Sequence, residues 1–379
     1  MNIGIVCYPT YGGSGVLATE LGLGLAGKGH KVHFITYRMP ARLPMFHENI
    51  YFHEVNAYDY PLFEYAPYES ALANKMVHIA SYEKLDILHV HYAIPHASVA
   101  YLARQILRSK NIHIPYVTTL HGTDITLVGS DPTFAPVVEF SINASDGVTA
   151  VSNYLKELTE STFDIKKPIE VVYNFVDFDR FKKTDKRHFK RAIAPNDEQI
   201  LVHVSNFRKV KRIDVAVKAF RIIANAIPAK LILVGDGPER LAIEQLVTDL
   251  ELNNHVVFLG KQDAIEEILA VSDLFLLPSE TESFGLSALE AMACGVPVIS
   301  SDAGGLPEVN INGQTGFAVP VGDYEMLAEK SIKLLSNEKL HRQFSEAAYE
   351  QAAFFNLDKI VCQYEKFYQR VLSEYAVPI

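Results

Sequence analysis

No apolar run in this sequence approaches the roughly 20 residues that a membrane-spanning helix needs, although 49% of its residues are hydrophobic. Cysteine is scarce: Cys7, Cys294 and Cys362 are odd in number and scattered. That argues against a disulfide framework and suits a reducing cytosol. The amino terminus, Met1 to Thr10, has no basic segment ahead of its apolar residues and reads as a first strand, not a signal peptide. Acidic and basic tails are missing too, and a net charge of −10 disfavours nucleic acid as the main partner. Low-complexity segments and short-period repeats are likewise absent. What remains is a cytoplasmic globular protein without stable membrane association. Its 379 residues suffice for two domains, each with its own core. Self-association into a homo-oligomer is left open.

Strands and helices alternate along the whole length. Ile3 to Tyr8 reads as a buried strand, Gly12 to Gly15 as a glycine loop, and Val16 to Ala26 as a helix ended by Gly27 and Gly29. Strands follow at Lys31 to Thr36, Ile50 to Val55, Asp86 to Val90, Tyr116 to Leu120 and Gly147 to Val151. Helices are expected near Tyr68 to Glu83, Pro95 to Arg108 and Tyr154 to Phe163, with Tyr58 to Tyr68 a loop over the sheet edge. The pattern pauses near Lys166 to Pro168. A second series then runs through strands at Leu201 to Ser205, Lys230 to Gly235 and Val256 to Leu259, with helices at Arg212 to Ala226 and Pro238 to Leu250. Expected domains are therefore 1–167 and 168–356, followed by a last helix within 357–379. Such alternation implies parallel sheets with right-handed crossovers. The predicted class is α/β: two Rossmann-like, doubly wound domains facing a central cleft.

The richest stretch runs from Leu274 to Val309. An apolar strand, Leu274 to Leu277, ends at Pro278; a polar turn leads into a helix from about Phe284 to Cys294, with Ser283 as expected N-cap. Gly295 and Pro297 stop that helix. Glu282 precedes the helix and Glu290 lies inside it. Eight residue steps span at most roughly 12 Å, too far to share a proton but suited to the two ends of a long polar ligand. An anion between them would meet the amides of Phe284, Gly285 and Leu286 at the helix start. A sugar, a diphosphate and a ribose, in that order, fit the span. The plainer alternative makes Glu282 a first-turn glutamate favouring the helix dipole and Glu290 a solvated helix residue.

Other motifs carry their own alternatives. Gly13-Ser14-Gly15-Val16-Leu17-Ala18 fits a dinucleotide fingerprint, yet its glycines stand well past the strand end and no ribose-binding acid follows the second strand. An NADP site through Arg38 is the weaker reading; a loop facing phosphate or substrate is the better one. His89 and His91 share a strand face, with His96 beyond, but no carboxylate triad accompanies them and no metal is expected. His121 and Asp124 follow the strand Tyr116 to Leu120 at the sheet's carboxyl edge. Asp177-Phe178-Asp179 is a D-x-D triplet common enough to be structural. The cluster Arg208-Lys209-Val210-Lys211-Arg212 sets cations at a helix start, which opposes the dipole unless an anion lies among them.

Glu282, Phe284, Gly285, Glu290, Ala291, Ala293, Gly295, Pro297 and Val298, then Gly304, Gly305, Pro307 and Glu308, resemble the signature of the retaining GT-B glycosyltransferases of family 4. So do His121-Gly122-Thr123-Asp124, the Asp86, His89, His91 trio, Gly235 to Glu239, and Val204 to Asp214, where Asn206 replaces the family's usual arginine. The resemblance covers almost the whole chain and implies a metal-independent, cofactor-free transferase whose substrate is a UDP-sugar. It implies that Lys211, with amides of Gly13, Phe284, Gly285 and Leu286, stabilises the leaving diphosphate. Glu290 would hold the ribose, Glu282 the sugar, and His121 the donor sugar near the reacting carbon. Arg208 could make up for Asn206, and Lys261 lies in the segment reading the base. Cys7 to Gly22, His91 to Ala97, Thr118 to Thr126 and His203 to Arg212 most resemble a branch using UDP-N-acetylglucosamine as donor and L-malate as acceptor, in the first step of bacillithiol biosynthesis. Ser14, Tyr92, Thr119 and Arg38 are the acceptor candidates. Runner-up readings are a family 4 enzyme with another small or lipid acceptor, a nucleotide-sugar epimerase of the same fold, and a two-lobed sugar-binding protein without chemistry.

Overall fold

A computed structural model describes residues 1–10, 12–57, 64–126, 129, 131–184 and 187–375. The chain divides into two compact units, Met1–Asn174 with Leu357–Ile379, and Phe175–Asn356. The first holds seven parallel strands, β1 (Asn2–Val6), β2 (Lys31–Thr36), β3 (Ile50–Glu54), β4 (Ile87–His91), β5 (Tyr116–Leu120), β6 (Gly147–Ala150) and β7 (Ile169–Val171), in the order β3-β2-β1-β4-β5-β6-β7. The second holds six, β8 (Gln199–Val204), β9 (Ala229–Val234), β10 (Val256–Gly260), β11 (Leu274–Leu277), β12 (Val298–Ser301) and β13 (Gly316–Val319), in the order β10-β9-β8-β11-β12-β13. Central strands such as β4 and β11 are buried at every position, because helices cover both faces of a parallel sheet.

In each sheet the strand order reverses once, between β1 and β4 and between β8 and β11. Adjacent crossovers diverge there, opening a crevice at the carboxyl ends of the strands where such sheets bind ligands. The helix Gly13–Gly27 follows β1, His91 ends β4, and His121 follows β5. In the second unit, Ser205 to Lys211 follow β8 and Glu282 follows β11. Topology alone therefore gathers the candidate residues at two crevices, one per unit.

Several local expectations change. Gly13 and Ser14 are the first turn of a helix running Gly13–Gly27, with Gly12 as N-cap, so the glycine loop is shorter than its composition suggests. Gly15 has to be glycine because a Cβ there would lie 2.4 Å from the Thr10 carbonyl. The three residues of β7 extend the first sheet past the pause at 166–168, and the first unit runs on to Asn174. The last helix, Leu357–Tyr375, packs against Gly13–Gly27, where Gly24 makes room for Val361. Residues 58–63 of the expected edge loop lie outside the described residues.

Candidate active site

In the second unit the site is made by two loops that adjacent strands bring together. The Glu280 amide donates to the Val210 carbonyl at 2.8 Å, tying the turn after β11 to the short 3-10 turn Lys209–Lys211. Lys211 Nζ then meets Glu282 Oε1 at 2.5 Å. Ser279 Oγ donates to that same oxygen at 3.0 Å, and Ser301 Oγ donates to the Ser279 carbonyl at 2.5 Å. The ammonium and carboxylate are only 20% and 13% exposed, so their mutual attraction is screened less than on an open surface. Lys211 is thus a fixed cation at the carboxyl edge of the sheet.

The helix is Leu286–Ala293 and its N-cap is Gly285, not Ser283. Gly285 takes φ +100°, a left-handed conformation that a residue with a Cβ adopts only with strain. Its carbonyl accepts from Ala288 and Leu289, while the amides of Leu286 and Ser287 open the helix at its positive end. Two further glycines press on this turn. A Cβ on Gly304, where φ is +63°, would sit 2.1 Å from the Glu282 carbonyl, and one on Gly305 would sit 2.4 Å from the Ser283 carbonyl. The Gly305 amide donates to the Glu282 carbonyl at 2.8 Å. The paired glycines are therefore the mould for Glu282 to Phe284. Phe284 is 2% exposed and meets Phe355 edge-on.

Neither plain alternative for the two glutamates survives this geometry. Glu282 lies ahead of the helix and is bound by a lysine, so it is no first-turn glutamate. Glu290 is only 6% exposed, a buried carboxylate instead of a solvated one. Asn206 and Arg208 are exposed on the loop after β8, around the buried Phe207, which exchanges backbone hydrogen bonds with Asp236 and Glu239. Lys261 is exposed beyond β10, two strand positions from β8. Arg212 is tied to Asp214 at 3.1 Å. Asp177 accepts the Asp179 amide at 2.8 Å, which makes the D-x-D triplet a local turn.

In the first unit, histidines stack beside the crevice, along β4 and over to the residue after β5. His89 and His91 are 4.4 Å apart by ring centroid, and His91 Nδ1 lies 2.8 Å from His121 Nε2. His89 is held between the Tyr368 hydroxyl at 2.7 Å and Thr119 Oγ1 at 2.7 Å. Thr119 also bonds Thr149 at 2.7 Å and is 1% exposed, so it positions His89 inside the sheet and presents no hydroxyl to an acceptor. Ser14 and Tyr92 do come together: the tyrosine hydroxyl donates to Ser14 Oγ at 2.6 Å. Tyr92 holds φ +83°, strained for a side chain of its size. Asp124 accepts from the Ala93 amide at 2.9 Å and the Gly122 amide at 3.0 Å, fixing the turn that carries His121. Arg38 is exposed beyond β2. Sequence reasoning missed Tyr364 and Tyr368, although the buried stripe Tyr364, Phe367, Tyr368 and Val371 repeats at helical spacing.

Burial keeps these histidines neutral: it pushes His89 down to about 3 and His96 down to about 4 from the ordinary 6.5. The unfolded chain takes up protons below pH 6.5 that these folded rings refuse, so the stabilisation is complete above pH 6.5. It falls by about 1.4 kcal/mol per pH unit for each ring as pH drops toward 4. Urea unfolding followed by circular dichroism should show the first unit's midpoint flat above pH 7 and falling steeply between pH 6.5 and 4. A midpoint independent of pH there would contradict this assignment.

Residues 184–351 match the model of glycosyl transferases group 1, and residues 11–180 that of glycosyltransferase family 4. The N-acetyl-alpha-D-glucosaminyl L-malate synthase of Bacillus anthracis is 52% identical over 379 residues, covering 99% of this chain and 98% of its own. The D-inositol 3-phosphate glycosyltransferase of Mycobacterium tuberculosis strain F11 is 28% identical over 345 residues, 86% of this chain and 69% of its own. Among solved structures, sucrose-phosphate synthase from Thermosynechococcus elongatus superposes with a TM-score of 0.82 at 23% identity, over 99% of this chain and 100% of its own. Anabaena HepE in complex with UDP and glucose gives 0.80 at 22% identity, over 97% and 99%. At that identity the structures speak for the fold alone.

Proposed function

The chain belongs to the family 4 glycosyltransferases of GT-B fold, and from that premise we propose that it transfers N-acetylglucosamine, with retention, from UDP-N-acetylglucosamine to the hydroxyl of L-malate, releasing UDP. The observation that carries the chemistry is Lys211, held by Glu282 beside the start of Leu286–Ala293. The full-length relative named for the malate product narrows the substrates.

Departure of UDP builds negative charge on a diphosphate. A fixed ammonium and opening helix amides, already in place before the reaction, lower that barrier without reorganising. Lys211 and the amides of Phe284, Gly285 and Leu286 take this role, with Gly13 assigned to the same diphosphate by the family pattern. No divalent cation is required for it. Glu290 takes the ribose hydroxyls, since a buried carboxylate gains most from charge-assisted hydrogen bonds. Glu282, its charge shared with Lys211 and Ser279, takes sugar hydroxyls and is a poor nucleophile. The malate hydroxyl attacks the anomeric carbon on the face UDP leaves, and its proton passes to a phosphate oxygen. His121 stands near the reacting carbon, while Ser14, Tyr92 and Arg38 meet the acceptor. Thr119 acts only through His89.

Incubation with UDP-N-acetylglucosamine, with and without L-malate, tests the reading. Malate-dependent release of UDP is expected. Donor isomerisation without release would make the protein an epimerase, and donor binding without turnover would make it a receptor.

A further inference from the structure

Away from the residues assigned to transfer, the edge of the first sheet gathers two imidazoles and a carboxylate. His33 on β2 and His53 on β3 point to the sheet face covered by the helix Tyr68–Tyr82, whose residues pack on Ile35 and Val55 of the same alternating rows. His33 Nδ1 and His53 Nε2 are 2.9 Å apart, with the rings nearly parallel at 10°. Glu83, the C-cap of that helix, completes the group, and the three ligand atoms all lie within 4.8 Å of one another. Two nitrogens on a tetrahedral ion at bond lengths of about 2.0–2.1 Å lie roughly 3.3 Å apart. The imidazoles therefore need to part by only a few tenths of an ångström. Glu83 has a half-buried, flexible side chain to close the remaining distance.

Three further features favour a cation here. The carbonyl end of a fifteen-residue helix carries partial negative charge. The Asn2 side-chain amide donates to the Glu83 carbonyl at 3.0 Å and steadies the backbone that presents the carboxylate. Tyr51 stacks on His33 at 4.7 Å, giving one side of the group an apolar wall. Lys31 and Lys75 are the opposing charges nearby, and His78 adds a third cation only when protonated.

We infer that His33, His53 and Glu83 form a binding site for a divalent transition ion of zinc type, tying the edge strand β3 to the end of the helix Tyr68–Tyr82. Two imidazoles and a carboxylate suit Zn2+ and leave its fourth position to water. The ion would take no part in the transfer reaction, since no residue assigned to that reaction is among its ligands, and the inference stands independently of the proposed substrates.

The test uses the full chain stripped of metal and titrated with Zn2+ by calorimetry, with Co2+ absorption as a second probe. One equivalent should bind the parent protein and raise its melting temperature, and Co2+ should give a four-coordinate visible spectrum. Glu83→Gln, at a half-exposed helix end, should keep the metal-free melting temperature and lose the Zn2+-induced rise; His53→Ala should lose binding. Absence of saturable binding to the parent, or binding unchanged in either variant, would overturn the site.

Discussion

Lys211→Ala is expected to lower kcat by roughly 100- to 1,000-fold, the cost of removing one preorganised donor from a developing anion, while KM for the UDP-sugar changes little. A selective fall in kcat is what distinguishes stabilisation of the leaving group from ordinary binding. Lys211 also partners Glu282, and the variant leaves that half-buried carboxylate bound only to Ser279 among the hydrogen bonds described. A structural loss and a catalytic loss must therefore be separated. The double variant Lys211→Ala, Glu282→Gln does so: if the lysine acts only by holding Glu282, removing both should be no worse than removing the carboxylate alone. The account predicts that the double variant is markedly slower than Glu282→Gln alone. Arginine should substitute poorly, because a planar, delocalised fork does not reproduce the compact ammonium that meets Oε1 of Glu282.

Glu290→Gln should act on the other kinetic constant. A carboxylate accepting hydrogen bonds from ribose hydroxyls contributes about 1.5–3 kcal/mol, so KM for the donor, and Kd for UDP, should rise roughly 10- to 150-fold by the same arithmetic. Turnover at saturating donor should fall much less, since the ribose is bound equally well before and during transfer. Glutamine keeps the volume of a side chain that is only 6% exposed, so the fold should persist. Calorimetry with UDP and initial rates at two donor concentrations would settle it. An unchanged Kd would remove Glu290 from the nucleotide site.

Much of the fold is legible in the sequence. Short runs such as Lys31–Thr36, Tyr116–Leu120 and Leu274–Leu277 fall at their expected bounds, because strands covered on both faces are rich in apolar and β-branched residues and are punctuated by glycine and proline. The three-residue strand Ile169–Val171 is too short to carry a periodic signal. Composition also misleads at helix starts. Ser283 is a good capping residue by type, yet Gly285 caps because the Gly304-Gly305 turn presses on the preceding backbone. Such a contact, made between turns some twenty residues apart, leaves no local trace.

The site divides the same way. Glu282 and Glu290 stand out through their family context, and the glycine pair that moulds their turn belongs to that signature. The partnership of Lys211 with Glu282 joins residues 71 positions apart and depends on β8 lying beside β11. Thr119 shows the opposite failure. Its place at the end of β5 suggests a ligand contact, but there its hydroxyl turns inward to His89 and Thr149. The tyrosine that completes this network lies 279 residues from His89, on a helix whose pattern announces burial and nothing more.

The most direct test is a crystal structure of the full chain with UDP, grown without divalent cations. The account predicts the β-phosphate within hydrogen-bonding distance of Lys211 Nζ and the amides of Gly285 and Leu286, with the ribose on Glu290. A diphosphate bound away from that helix start, with Lys211 still paired to Glu282, would contradict it.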